Sequence, residues 1–276
     1  MMSPTVLPAT DDPRTYGLQR YLARAFGVRL SGDIHERLRE KGLALPIGRQ
    51  RRRRLAALRN IGMLFIHVPK NAGMSVSQAI YGLQLKHATF RYYQKIAPDL
   101  ADGPSFAVIR DPAARFVSAY AYARAGGSAD NIVSAPFRRE YRSMRTIDQA
   151  LDLLEAKSFP YDVDHIFRPQ SWYLQDEAGR VGVRHLLGLA ELDQWLRRVL
   201  KVSVPHINRG RPSRERLTSA QIARLRRLYP QDFDLFERFI TGSLGSPAAD
   251  GPDERRQEQC GQHSLDQGVR TRSDEP

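Results

Sequence analysis

Residues 65–82 read FIHVPKNAGMSVSQAIYG, and this stretch restricts the possible folds more than any other part of the chain. Phe65, Ile66, His67 and Val68 suit a strand, and Pro69 ends it because it has no amide to give a ladder. From Ser75 onward Val76, Ala79 and Ile80 recur at helical spacing, and Gly73 stands where the turn must let backbone pass closely. A strand running through a small-residue turn into a helix aims unpaired amides at one point, the usual setting of a phosphate cradle. The lysine is displaced from its common place. The widespread phosphate loop G-x-x-x-x-G-K-[ST] has lysine directly after its last glycine, whereas Lys70 precedes Gly73 by three residues.

Further strand-like runs occur at MLFIHV (63–68), SFAVI (105–109) and RHLLGL (184–189), separated by segments of helical periodicity. Strands alternating with helices predict an α/β fold: a P-loop-like parallel sheet flanked by helices on both faces. The predicted organisation is a basic, partly helical N-terminal extension over 1–60, the main domain over 61–240 and a disordered polar tail over 241–276. In the extension, residues 16–26 and 34–43 carry enough apolar side chains for short helices. RQRRRRLAALR at 49–59 reads either as a solvated helix face or as a contact for nucleic acid or lipid. Near the other end, Thr218-Ser219-Ala220-Gln221 fits a capping box ahead of a stripe of Ile222, Leu225 and Leu228, with Phe233, Leu235, Phe236 and Phe239 continuing the core after Pro230. Beyond Thr241 the chain is too polar to offset its ordering entropy.

The 276 residues carry a formal charge of +13. The last 36 hold seven acidic against four basic side chains, which leaves about +16 on the remainder. That balance favours polyanionic partners such as acidic glycan, lipid headgroup, nucleic acid or a phosphate-rich cosubstrate. A genome rich in arginine codons explains the charge equally well. No zinc-finger, helix-turn-helix or aromatic RNA-binding signature accompanies it, so nucleic acid is not expected. Cys260 is the sole cysteine, which excludes an internal disulfide and a cysteine metal site and suggests a reducing, cytoplasmic setting. No apolar run reaches the ~20 residues of a membrane span, although the basic face could touch the inner surface of a membrane.

FAVIRDPAARFVSAYAYA at 106–123 forms a second constellation. Phe106 to Ile109 reads as a buried strand, Asp111 as a helix N-cap and Pro112 as the first helical residue, where its missing amide does no harm. Arg110 then stands at the carboxyl end of a strand, where ligands bind in open parallel sheets. Ser118 follows eight residues later, a little over two turns on, and its hydroxyl can face the same crevice.

Together, PKNAGMS and RDPAARFVSAY resemble the two nucleotide-binding motifs of the sulfotransferases that use 3′-phosphoadenosine 5′-phosphosulfate (PAPS), especially the carbohydrate branch. In that family the first motif runs close to H-x-P-K-T-G-G-T-S and holds the 5′-phosphosulfate. The second runs close to R-[DN]-P-x-x-R-x-x-S-x-Y and holds the 3′-phosphate. The resemblance implies Lys70, Asn71, Ala72, Gly73, Met74 and Ser75 at the 5′ end, with Arg110 and Ser118 at the 3′ end. Asn71 and Ala72 stand where threonine and glycine are frequent, and Met74 replaces a threonine hydroxyl. Weaker likeness at DHIFRPQSWYL (164–174), GLAELDQWL (188–196), PHINRG (205–210) and 229–236 extends the match over roughly 60–240.

Sulfuryl transfer needs an acceptor oxygen in line with a leaving phosphate on which negative charge grows. The sulfonate carries one charge, so a lysine and helix-terminal amides can do what magnesium helps to do in kinases, and no metal is strictly needed. Lys70 is placed to meet the leaving oxygen. The resemblance also implies His87, in LKHATFRYYQKI at 85–96, as the base for a carbohydrate or glycolipid hydroxyl. An unperturbed imidazole would give a pH limb near ~6–7. His165 is a second candidate, for the base or for acceptor binding, and His67 reads as packed on its strand. Arg91 and Lys95 share a side if their segment is helical and could meet an anionic acceptor. Asn208 and Arg209, on a basic loop, are expected near the 3′-phosphate. A phosphoryl-transfer enzyme with an irregular phosphate loop and a non-catalytic polyanion binder remain as alternatives.

Overall fold

The computed structural model describes residues 23–128, 131–204 and 215–242. The expected helix at 16–26 lies mostly outside these residues, and Asn208, Arg209 and almost all of the polar tail lie wholly outside them. Three strands, β1 (Leu64–Ile66), β2 (Ser105–Ile109) and β3 (His185–Gly188), form a parallel sheet in that order. Phe65 pairs with Phe106, and Phe106 in turn with His185. Every residue of β1 and β2 is buried, as expected of a parallel sheet covered on both faces. The rings of Phe65 and Phe106 stack at 4.8 Å between centroids, and Trp195 closes on Phe106 at 5.1 Å.

The strand expected over 63–68 is shorter than its apolar run. Val68 N donates to Ile66 O at 3.1 Å, so the chain turns out of the ladder at His67. Before the sheet come α1 (Ile34–Glu40) and α2 (Arg49–Ile61). Between β1 and β2 lie α3 (Gly73–Tyr81), α4 (Phe90–Ile96) and the short α5 (Pro98–Ala101). The long return from β2 to β3 holds α6 (Pro112–Ala125), α7 (Ala135–Ser143), α8 (Ile147–Glu155) and α9 (Gln170–Leu174). After β3 follow α10 (Leu192–Leu200), α11 (Ser219–Leu228) and α12 (Pro230–Ile240).

Local signals explain several boundaries. Asp111 Oδ1 accepts from Ala114 N at 2.7 Å with Pro112 opening α6. Thr218 and Gln221 form the reciprocal capping box of α11. Pro230 does not continue that helix but starts α12, since a proline within it would break the ladder. One core cluster surrounds the sheet, and a second, including Phe116, Tyr120, Phe137, Leu151 and Leu225, joins the helices of the β2–β3 return to α11 and α12. Among the described residues no helix is long and apolar enough to cross a membrane.

Candidate active site

The loop from β1 to α3 is held in a demanding backbone. Lys70 (φ 69°) and Ala72 (φ 59°) both sit in the left-handed region without being glycine, a conformation that costs roughly 1–2 kcal/mol per L-residue and clusters at functional sites. Gly73 has ordinary helical φ but no room for a side chain, because a Cβ there would lie 1.8 Å from His67 Cδ2. The glycine is thus required by a histidine six residues earlier, and the helix can begin directly beneath the loop.

Asn71 is buried and fastens the loop to β2, donating through Nδ2 to Val108 O (2.8 Å) and to Gln170 Oε1 (3.2 Å). Its Oδ1 is buried without a protein partner. Gln170 also donates to Arg110 O at 2.8 Å, so one side chain ties the two motifs together. Asp232 in turn accepts from Gln170 N, Ser171 N and Ser171 Oγ at 2.6–2.8 Å. Met74 meets Asn131, whose Nδ2 lies 3.3 Å from its sulfur. Ser75 is buried in the first turn of α3, and Ser118 is half-buried on α6.

Lys70 and Arg110 stand close together, with Arg110 Nη1 3.4 Å from Lys70 O and Lys70 Nζ 4.2 Å from the centre of the Tyr122 ring. Neither forms an ion pair among the described residues. Burial, with help from Arg110 and Arg115, lowers the Lys70 ammonium to about 8. Arg115, buried beside them, is a strut: Nε donates to Pro69 O (3.1 Å) and Nη2 to Arg168 O (2.7 Å). Two strand ends, a helix N-terminus and two cations thus come together at the carboxyl edge of a parallel sheet, a setting suited to an anion.

Beside it, three histidines stand in a row. The His67 and His87 rings are 4.2 Å apart, and those of His87 and His165 5.2 Å. His67 is buried, with Nδ1 donating to Leu85 O at 3.0 Å. His87 donates Nδ1–H to His67 O at 3.1 Å, which fixes the tautomer and leaves the Nε2 lone pair available. Burial lowers its pKa to about 4, so the ring is neutral at pH 7. His67 and His165 are also lowered well below the ordinary imidazole range, chiefly by burial. Among the described residues no such group has the geometry of a metal site. His165 Nε2 lies 3.4 Å from Asp33 Oδ1, and the same carboxylate is held by Arg168 Nη1 at 3.1 Å and Nη2 at 2.5 Å.

The three histidines and Met74 line a cavity of about 470 Å³, whose walls include Arg51, Arg54, Lys86, Tyr92 and Tyr93. His87 and His165, competing candidates in the sequence, share this wall. Arg91 and Lys95 do not reach it. Arg91 stacks 5.8 Å over Trp172 and donates to Trp172 O, while Lys95 pairs with Glu177 at 2.7 Å. The turn of α4 points both toward 172–177. Sequence reasoning missed Gln170, Arg115 and Asp33. Gln170 and Arg115 lay within quoted motifs, but nothing local marked Asp33.

Fold and site together define an α/β protein with a cationic loop-and-helix site at the carboxyl edge of its parallel sheet. A family model described as the sulfotransferase family matches residues 54–239, well over half of the chain, and the chain belongs to that family. It is therefore a sulfotransferase, an enzyme that moves a sulfuryl group from a sulfonate donor to an acceptor. No curated protein matches the chain.

Proposed function

We propose that the enzyme transfers the sulfuryl group of PAPS to a hydroxyl of a carbohydrate or glycolipid. The observation that carries this reading is the meeting of Lys70, the start of α3 and Arg110 at the ends of β1 and β2, cationic and without an ion pair among the described residues. The buried, unpartnered Asn71 Oδ1 and the left-handed backbone at Lys70 and Ala72 fit a loop shaped around a ligand. The donor supplies the sulfuryl group and leaves as adenosine 3′,5′-bisphosphate.

Within this reading, Lys70 and the amides of residues 73–75 hold the 5′ end, while Arg110 and Ser118 hold the 3′-phosphate. Lys70 sets its charge against the oxygen that gains charge as the sulfur–oxygen bond breaks. His87 Nε2 receives the acceptor's proton as the new sulfur–oxygen bond forms, with Nδ1–H anchored on His67 O. The displaced base is poised by the donor itself, because an anion beside the ring opposes the acidifying effect of burial. His67 joins the two halves: its carbonyl orients His87, and its ring packs against Gly73 of the donor loop.

Thermal shift with adenosine 3′,5′-bisphosphate, ATP and heparin tests the reading. The bisphosphate should stabilise the protein most. Preference for ATP would favour phosphoryl transfer, and a response to heparin alone a polyanion binder. Labelled PAPS with a panel of glycans and glycolipids then identifies the acceptor.

A further inference from the structure

Helix α2 divides its arginines. Arg52 and Arg53 face solvent, and Arg59 pairs with Asp99 at 2.7 Å. Arg51 and Arg54 turn the other way, are half-buried and line the cavity that holds His87. Arg51 lies 5.8 Å from the centre of the Tyr92 ring, and Arg54 donates Nε to Gln84 O at 3.1 Å, in the loop that carries Lys86 and His87. Lys86 lines the same wall. Among the described residues none of these three cations forms an ion pair, and burial and mutual repulsion both lower the Lys86 ammonium. Arg29, also on the wall, is different, since Glu140 and Asp162 lie 3.2 and 3.4 Å from it. The one acidic residue of the described wall, Glu36, is buried and bound to the Thr89 amide and hydroxyl, and burial raises it to about 7.

Three convergent cations without a carboxylate partner repel one another, and holding them in one cavity costs stability unless a ligand answers the charge. We propose that Arg51, Arg54 and Lys86 form an acceptor subsite for an anionic substituent, a carboxylate or a phosphate or sulfate ester, on the same molecule as the hydroxyl offered to His87. The inference rests on the sulfuryl-transfer reading and narrows it to acidic acceptors. It gives the arginine run a division of labour: one side of α2 meets solvent, and the other selects substrate. Lys70 and Arg110, the cations at the strand ends, do not line this cavity. The apolar and aromatic remainder of the wall, Leu55, Leu85, Tyr92 and Tyr93, suits the carbon face of a sugar ring.

Calorimetric titration of methyl glucuronide, glucose 6-phosphate and neutral methyl glucoside, each with and without saturating adenosine 3′,5′-bisphosphate, tests this. At least one anionic sugar should bind about tenfold or more tightly than the glucoside, as a charge-assisted hydrogen bond allows, and the two charged probes tell carboxylate from phosphate ester. The combined Arg51→Gln, Arg54→Gln, Lys86→Gln protein should lose that preference and keep its affinity for the bisphosphate. Lys86→Glu should weaken the charged sugar alone. Equal affinity for all three sugars, binding of none, or a preference that survives the triple substitution overturns the proposal. Failure of the wild type to bind the bisphosphate while preferring a charged sugar would instead strike the donor reading.

Discussion

The proposed donor loop and the proposed acceptor cavity meet at His67 but are put together from different materials. Lys70, Asn71 and Gly73 belong to one strand–turn–helix, and Arg110 to another, so each half is contiguous in the chain and is shaped largely by backbone. The cavity draws Arg54, the adjacent Lys86 and His87, and His165 from three separate segments, and its inner support is the Asp33–Arg168 pair, whose members stand 135 residues apart. A contiguous cradle can lose a side chain and keep its shape. A wall closed by one long-range buried ion pair cannot. The comparison teaches that chemistry and stability should separate on the donor side and fall together on the acceptor side.

His87→Ala is expected to show the largest effect on rate, lowering turnover by roughly 10²–10⁴-fold with bisphosphate affinity nearly unchanged. Steady-state kinetics with calorimetry checks it, and full activity in His87→Ala with loss in His165→Ala would move the base one place along the row. Lys70→Ala should cost about 10²–10³-fold in turnover while the urea midpoint stays put, since its ammonium acts on charge that develops in the transition state.

Asp33→Ala should behave in the opposite way to Lys70→Ala. It strands the Arg168 guanidinium in a buried site, and breaking such a pair costs about 3–5 kcal/mol, visible as a lower urea midpoint before any assay of rate. A stability change no larger than that of Lys70→Ala would erase the contrast between the two sides.

The pH profile of kcat/KM for the donor sharpens it further. Lys70 must be charged to meet an anion, and with its pKa lowered to about 8 the free enzyme should lose activity as pH rises through that value. Lys70→Arg should flatten this alkaline limb. His87 must be neutral, and burial displaces its limb from the ~6–7 expected of an ordinary imidazole to about 4, so activity falls only as pH drops toward that value. An acid limb that remains in His87→Ala would belong to another group.

The smallest expected effect sits in the cradle itself. Ala72 holds φ 59°, and Ala72→Gly should relieve that strain and raise stability by up to about 1 kcal/mol in urea unfolding. A loss of stability would mean that the loop's strain lies elsewhere.

Legibility followed the same division. β2, the Asp111 cap and the Thr218 capping box were readable because each is decided by neighbours in sequence. The length of β1 was not, since His67 leaves the ladder to fill the space above Gly73, a demand made by packing. The adjacency of His87 and His165 and the arrival of Asp33 depend on chain closures that no local pattern encodes. Arg91 and Lys95 share a helix face as expected, but the face points to Trp172 and Glu177. The run at 49–59 read either as a solvated face or as a polyanion contact, and its arginines divide between solvent and the cavity wall.

The central claim is that the two strand ends hold a nucleotide bearing phosphate at both the 3′ and 5′ positions, and calorimetry on wild type and Arg110→Ala tests it most directly. Wild type should prefer adenosine 3′,5′-bisphosphate to adenosine 5′-phosphate, and Arg110→Ala should reduce that preference by roughly ten- to a hundredfold, the worth of one charge-assisted hydrogen bond of ~1.5–3 kcal/mol. An undiminished preference in Arg110→Ala, or none in the wild type, would contradict the assignment of Arg110 and with it the placement of the donor.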